Sequence, residues 1–320
     1  MDVVLEYADY YLLDSLYAKW VPADPLHATS TLSALSNASL PLLNASSPDP
    51  FSAYLPQPGV PTSAWPQDHL GRQLLSLSVI TMIGINLLYF IFAYASYAFI
   101  FDHRLKSHSR YLPNQISKEI RLSVGSFPGM MVLMMPWFLM EVRGYSKLYH
   151  RVDEYGWAYF FLSIPLFLLF TDYCIYWIHR GLHHPSVYRY IHKPHHKWIV
   201  PTPFASHAFH PLDGTAQGMP YHFFIFLFPL QRHLYLGLFV FVNVWTILIH
   251  DGDMLVDHPL LRFINGPAHH TLHHIYFTVN YGQYFTWADW VGGSFKQPGK
   301  ELDPLLDALE NMKKKGGKAE

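Results

Sequence analysis

Three short histidine words carry the chemistry this sequence offers. His179 and His183 frame His-Arg-Gly-Leu-His; His192, His195 and His196 form His-Lys-Pro-His-His; His270, His273 and His274 form His-Thr-Leu-His-His. Residues three and four apart on a helix project from one face. Each word is therefore expected to aim two or three imidazoles at a common point. Pro194 places the second word on a first helical turn rather than mid-helix. One zinc is satisfied by four ligands, and a catalytic zinc by three plus water. Eight imidazoles suit two ions better. Neutral imidazole binds zinc, copper, iron and nickel, so the ligand type does not name the metal.

Other residues could complete such a shell. His250 ends the last apolar stretch, His207 and His210 are again three apart, and His269 precedes the third word. Asp172, Asp213, Asp251 and Asp253 are candidates to orient the rings from behind. His184, His222 and His233 read as packing or hydrogen-bonded interior residues. Sixteen of the 21 histidines fall between His179 and His274, against a single cysteine, Cys174. A lone cysteine excludes an intrachain disulfide and thiolate-built zinc or iron–sulfur sites. Net charge is −1, so there is no basic field for nucleic acid.

The elements that must position these residues read as membrane helices. Hydrophobic residues make up 51% and charged residues 14%, against about 25% charged in a soluble domain. Uncharged stretches run over 73–101, 122–140 and 155–171, the last continuing past Asp172 to Ile178. Two more, 214–231 and 233–250, are separated by Arg232 and fit an apolar hairpin that returns to its starting side. Pro128 and Gly129 weaken the second stretch. Arg104, Lys106, Arg110, Lys118 and Arg121 put the first interspan loop in the cytosol by the positive-inside rule, and with it the histidines. Arg143, Lys147 and Arg151, in the loop this assigns to the lumen, run against that rule.

The expected class is all-α: a multi-span membrane protein whose cytosolic, histidine-rich helical cap encloses a dinuclear site. Residues 1–72 read as an irregular Pro- and Ser-rich extension, 73–298 as the catalytic domain and 299–320 as a polar tail. No signal peptide is apparent. Asn37 and Asn44 head glycosylation sequons that this topology places in the lumen.

Paired redox metals beside lipid suit oxygen activation and removal of hydrogen from an unactivated C–H bond. Zinc hydrolysis and metal transport use the same parts, although a transporter would set its ligands mid-span along a pore. No Gly-x-Gly-x-x-Gly follows a strand, so reducing equivalents must come from a partner. No Glu-x-x-His pairs line the spans, which disfavours a carboxylate-bridged bundle.

The three words resemble the histidine boxes of the membrane fatty acid hydroxylase superfamily. The run from His192-Lys-Pro-His-His-Lys-Trp through Pro201-Thr-Pro-Phe-Ala-Ser-His-Ala-Phe-His-Pro-Leu-Asp-Gly214 is similar to its sterol C-5 desaturase branch, in the fungal form. So are Ile249-His-Asp-Gly252 and Tyr281-Gly-Gln-Tyr-Phe-Thr-Trp-Ala-Asp289. The resemblance spans roughly 70–298. It implies two non-haem irons on the eight box histidines, with O2 as co-substrate. It also implies a delta-7 sterol substrate and electrons from NADH through cytochrome b5 and its reductase, in the endoplasmic reticulum membrane. A sterol C-4 methyl oxidase or a lipid hydroxylase would use the same boxes.

Overall fold

The computed structural model describes residues 1–23 and 62–316, so Asn37, Asn44 and the last four residues lie outside it. Two compact units divide the chain, 1–80 and 81–320.

In the first unit, α1 (Asp2–Ala8), a π-helical turn (Asp9–Leu13) and α2 (Asp14–Trp20) form one helical run. This departs from the irregular extension expected for 1–72. The reason is compositional: the prolines begin at Pro22, and the preceding twenty residues contain none. Arg72 anchors the run. Its guanidinium donates to Asp9 at 2.6 Å, to Asp14, and to the Trp65 carbonyl at 3.1 Å, and it lies 4.6 Å over the Tyr17 ring.

Among the described residues, three helices are long and apolar enough to cross a membrane: α3 (Leu70–Phe99), α4 (Gln115–Val142) and, beyond the short strand β1 (Leu148–Tyr149), α5 (Gly156–Leu182). At about 1.5 Å per residue each exceeds the roughly 30 Å hydrocarbon core. On α3, Leu75, Val79, Ile83, Leu87 and Ile91 stand exposed every fourth residue, an apolar row suited to lipid. Helix α4 continues through Pro128 and Pro136. Gly129 there serves close approach, since a Cβ would sit 2.8 Å from the Pro211 side chain.

A short α6 (Pro185–Tyr188) follows α5, and then comes the hairpin: α7 (Pro211–Leu227), β2 (Leu230–Gln231) and α8 (Arg232–Leu248). It starts beside His210 and ends beside His250, returning to its starting side as expected. Its turn docks at the far end, where β2 pairs in parallel with β1 and Lys147 donates to the Leu227 carbonyl at 2.9 Å. Phe167, Ile175, Phe224, Ile225, Leu238 and Val242 form the core between α5, α7 and α8.

The cap comprises 183–210 and the segment carrying α9 (Pro267–Tyr276), α10 (Trp287–Gly292) and α11 (Leu305–Gly316). The tail expected over 299–320 includes α11, which packs Leu305 on Phe101, Leu105 and Val200 and accepts the Ser109 amide at Asp307 (2.7 Å). One face of α4 stitches in place the stretch 200–207, which ends in a 3-10 turn (Pro203–His207). Gln115 donates to the Val200 carbonyl at 2.8 Å, and Ser123 to that of Phe204 at 3.1 Å. Glu119 accepts the Thr202 amide at 3.3 Å and its hydroxyl, and Tyr89 of α3 donates to the Phe204 carbonyl at 2.8 Å. Backbone outside regular α-helix is held where such partners satisfy its polar groups.

Candidate metal centre

The histidines converge on two points. The first set is His179, His183, His192, His196 and His273; the second is His195, His250, His270 and His274; within each set the ligand atoms lie within 4.8 Å of one another. In the first set, Nε2 of His196 stands 3.1 Å from those of His183 and His192 and 3.0 Å from that of His273. The His179–His192 and His183–His273 separations are both 3.2 Å. In the second, His270 lies 3.0 Å from His250 and 3.2 Å from His274, and His250 lies 3.4 Å from His195.

These distances match the edges of a coordination polyhedron. With metal–nitrogen bonds of about 2.1 Å, ligand atoms sit about 3.0 Å apart at right angles and about 3.4 Å apart at the tetrahedral angle. The outer ring nitrogens give a second test. Nδ1–H donates to a backbone carbonyl in His179 (Tyr281, 3.0 Å), His250 (Thr246, 2.7 Å), His273 (Val279, 2.7 Å) and His274 (Trp198, 3.0 Å). In His192 it donates to Asp213, at 2.7 Å in a fully buried pair. With the proton committed to Nδ1, each of these rings turns a lone pair inward. Lone pairs converging at 3 Å repel unless a cation lies among them. The donor set therefore fits metal, held in the usual way by groups behind the ligand rings.

Protonation agrees. Burial, reinforced by the neighbouring rings, holds His183, His195, His196, His270, His273 and His274 far below the ordinary imidazole value of 6.5. Burial takes His250 down to about 3. These imidazoles are neutral at physiological pH, the form that binds metal.

The structure brings together all eight box histidines and adds His250. It also corrects the expectation that each word aims at a single point. Each pair four apart shares a set: His179 with His183, His192 with His196, His270 with His274. The remaining members, His195 and His273, cross to the other set. The outlying candidates separate. His207 hydrogen-bonds Asn243 at 3.3 Å and Ser206 at 3.0 Å and joins neither set. His210 caps α7, accepting the Leu212 amide at 3.2 Å. His269 is buried 5.8 Å from the Phe295 ring. Of the four aspartates, Asp213 alone bonds a ring of either set. Asp253 donates its amide to Asp251 at 2.9 Å, and Asp172 binds backbone amides.

Sequence reasoning missed the carbonyls of Trp198, Thr246, Val279 and Tyr281, because a backbone acceptor leaves no side-chain signature. It also missed the Tyr281 ring, whose centroid lies 5.6, 5.1 and 5.4 Å from those of His179, His183 and His273.

Helices apolar and long enough to cross a membrane, capped by two buried imidazole sets that fit metal, set the class, and the fatty acid hydroxylase family model matches residues 164–294. Along nearly the whole chain the similarity is more particular. It is 48% identical over 336 residues to the Delta(7)-sterol 5(6)-desaturase erg3C of Aspergillus fumigatus, covering 99% of this chain and 95% of that one. It is 50% identical over 319 residues to ERG3B of Gibberella zeae, with the same coverages. Mouse lathosterol oxidase is 54% identical over 247 residues, 77% of this chain and 83% of its own. No solved structure matches. The chain belongs to the Delta(7)-sterol 5(6)-desaturase family of oxidoreductases.

Proposed function

We propose that this protein is an O2-dependent di-iron desaturase that forms the 5(6) double bond of a delta-7 sterol. It works in the endoplasmic reticulum membrane, with electrons passing from NADH through cytochrome b5 and its reductase. The observation that carries this reading is the pair of adjacent, neutral imidazole sets at the ends of apolar helices. His179, His183, His192, His196 and His273 would hold one iron, and His195, His250, His270 and His274 the other. Bound iron with O2 supplies the oxidising power to take hydrogen from two neighbouring carbons. The balance is one CH–CH unit, O2, two electrons and two protons giving C=C and two waters.

The protein's own contribution is geometric. Carbonyls and Asp213 fix the ring tautomers, and burial keeps the imidazoles free of protons. The sets sit at the cap ends of α5 and α8, within reach of a substrate dissolved in the bilayer. The cytosolic orientation rests on Arg104, Lys106 and Arg110 lying at that end. The basic residues of the opposite loop are partly engaged, Arg151 by Asp153 at 2.8 Å and Lys147 by the Leu227 carbonyl.

Sterol profiling of cells lacking the protein tests the reaction, with metal analysis of the purified chain. Accumulation of delta-7 sterols without the 5(6) double bond, and close to two irons per chain, is expected. An unchanged sterol profile, loss of a hydroxylated lipid instead, or stoichiometric zinc without oxygen consumption would overturn the proposal.

A further inference from the structure

Five consecutive backbone amides, from Tyr281 to Phe285, all donate to carboxylates. Asp289 takes Tyr281 and Gly282, both at 2.8 Å. Asp172 takes Gln283, Tyr284 and Phe285 at 3.0, 2.7 and 3.3 Å, all on one oxygen. Successive N–H groups wrapped around an oxyanion make a rigid nest. Gly282 is required in it, since a Cβ there would collide with the Phe285 carbonyl oxygen. Asp172 lies on α5 two turns before His179 and is fully buried. A carboxylate buried within a membrane helix is costly and marks function by default.

The gripped segment serves one histidine set. Its Tyr281 carbonyl takes Nδ1–H of His179, and the Val279 carbonyl just before it takes that of His273. The Tyr281 ring packs on His179, His183 and His273. All three belong to the first set. The second set's carbonyl acceptors, Trp198 and Thr246, lie on other elements. The segment meets α8 through Gln283, which donates to the Thr246 hydroxyl at 2.9 Å and accepts Trp245 Nε1–H at 2.8 Å, and through the Tyr284 ring against Trp245, but the Thr246 carbonyl itself lies within α8.

We propose that Asp172 is a positioning residue for the first metal: it anchors residues 283–285 and, through residues 281 and 282 that Asp289 holds just before them, steadies the Tyr281 and Val279 carbonyls that aim His179 and His273, and it leaves the second metal alone. The proposal rests on the two-iron reading above and assigns a site-specific role within it.

The test is metal retention by the full-length, iron-loaded protein in lipid nanodiscs, titrated with a chelator and read as iron per chain. Wild type should hold two irons. Asp172→Ala should release one of them at about ten- to a hundred-fold lower chelator, the range typical of lost outer-shell partners. Combined with His183→Ala the change should add no further loss; combined with His270→Ala it should strip both irons. Asp172→Asn, which keeps an acceptor oxygen and the shape, should show the same site selectivity with a smaller shift, and it carries the comparison if the alanine variant does not fold. Equal weakening of both irons, no weakening of either, or the reverse pattern in the double variants overturns the proposal. Fewer than two irons in wild type would instead sink the two-iron reading.

Discussion

Removing the Asp213 carboxylate should cost the enzyme about one to two decades of metal affinity. Asp213 and His192 are completely buried, 2.7 Å apart, and the other Asp213 oxygen accepts Gln217 at 2.7 Å. Asp213→Ala strands the His192 Nδ1–H without a partner and frees the ring to change tautomer. A buried donor left unsatisfied costs about 1–3 kcal/mol, which at about 1.4 kcal/mol per decade is roughly a five- to more than hundred-fold loss. That range brackets the ten- to hundred-fold usual for outer-shell changes. Asp213→Asn should be milder, because an amide oxygen can still accept from His192 while Gln217 flips to accept the new amide nitrogen. The assay is iron per chain under chelator together with sterol conversion in microsomes. Wild-type retention and turnover in the alanine variant would refute the orienting role, and an asparagine variant as damaged as alanine would show that charge, rather than the acceptor, matters.

His250→Ala reduces the second set from four imidazoles to three. Turnover should fall below about 1% of wild type, consistent with loss of a transition-state contribution of about 3 kcal/mol, and near-normal conversion would remove His250 from the ligand set. His195→Ala and His273→Ala should each abolish turnover while the protein still inserts into membranes, checked by carbonate extraction. Burial holds His207 down to about 4 from 6.5, so below pH 6.5 the unfolded chain takes up a proton that the fold refuses. Stability should therefore fall as pH drops from 6.5 towards 4, by about 1.4 kcal/mol per unit for this group. A His207→Asn variant should show a shallower loss of thermal midpoint over that window, and an unchanged slope would count against it. Gly129→Val should destabilise by about 1–3 kcal/mol through overpacking against Pro211, read by thermal unfolding in detergent.

The spans and the histidine words were legible because both are periodic: apolar runs longer than a bilayer, and imidazoles at helical intervals. The allocation of ligands between the two sets was not legible: His192 and His196 keep to one set while His195 leaves it, on a turn that runs into a 3-10 helix where α-helical spacing does not assign the rings. His250 was a bare candidate because it stands alone at a helix end, and its partners are distant in sequence. The helical run at 2–20 was obscured by the proline-rich stretch read together with it. Helix α4 was doubted at Pro128, yet it stays continuous because proline is tolerated in membrane helices. The carbonyls behind the ligand rings depend on tertiary placement alone.

The polar side chains of α4, with Tyr89 of α3, set how readily one wall of the cap can open. Five hydrogen bonds tether residues 200–204: Tyr89, Gln115 and Ser123 donate to backbone carbonyls, and Glu119 accepts twice from Thr202. At about 1 kcal/mol each, detaching that flap costs about 5 kcal/mol, an open fraction on the order of one in several thousand. It is a wall of the cap rather than a door.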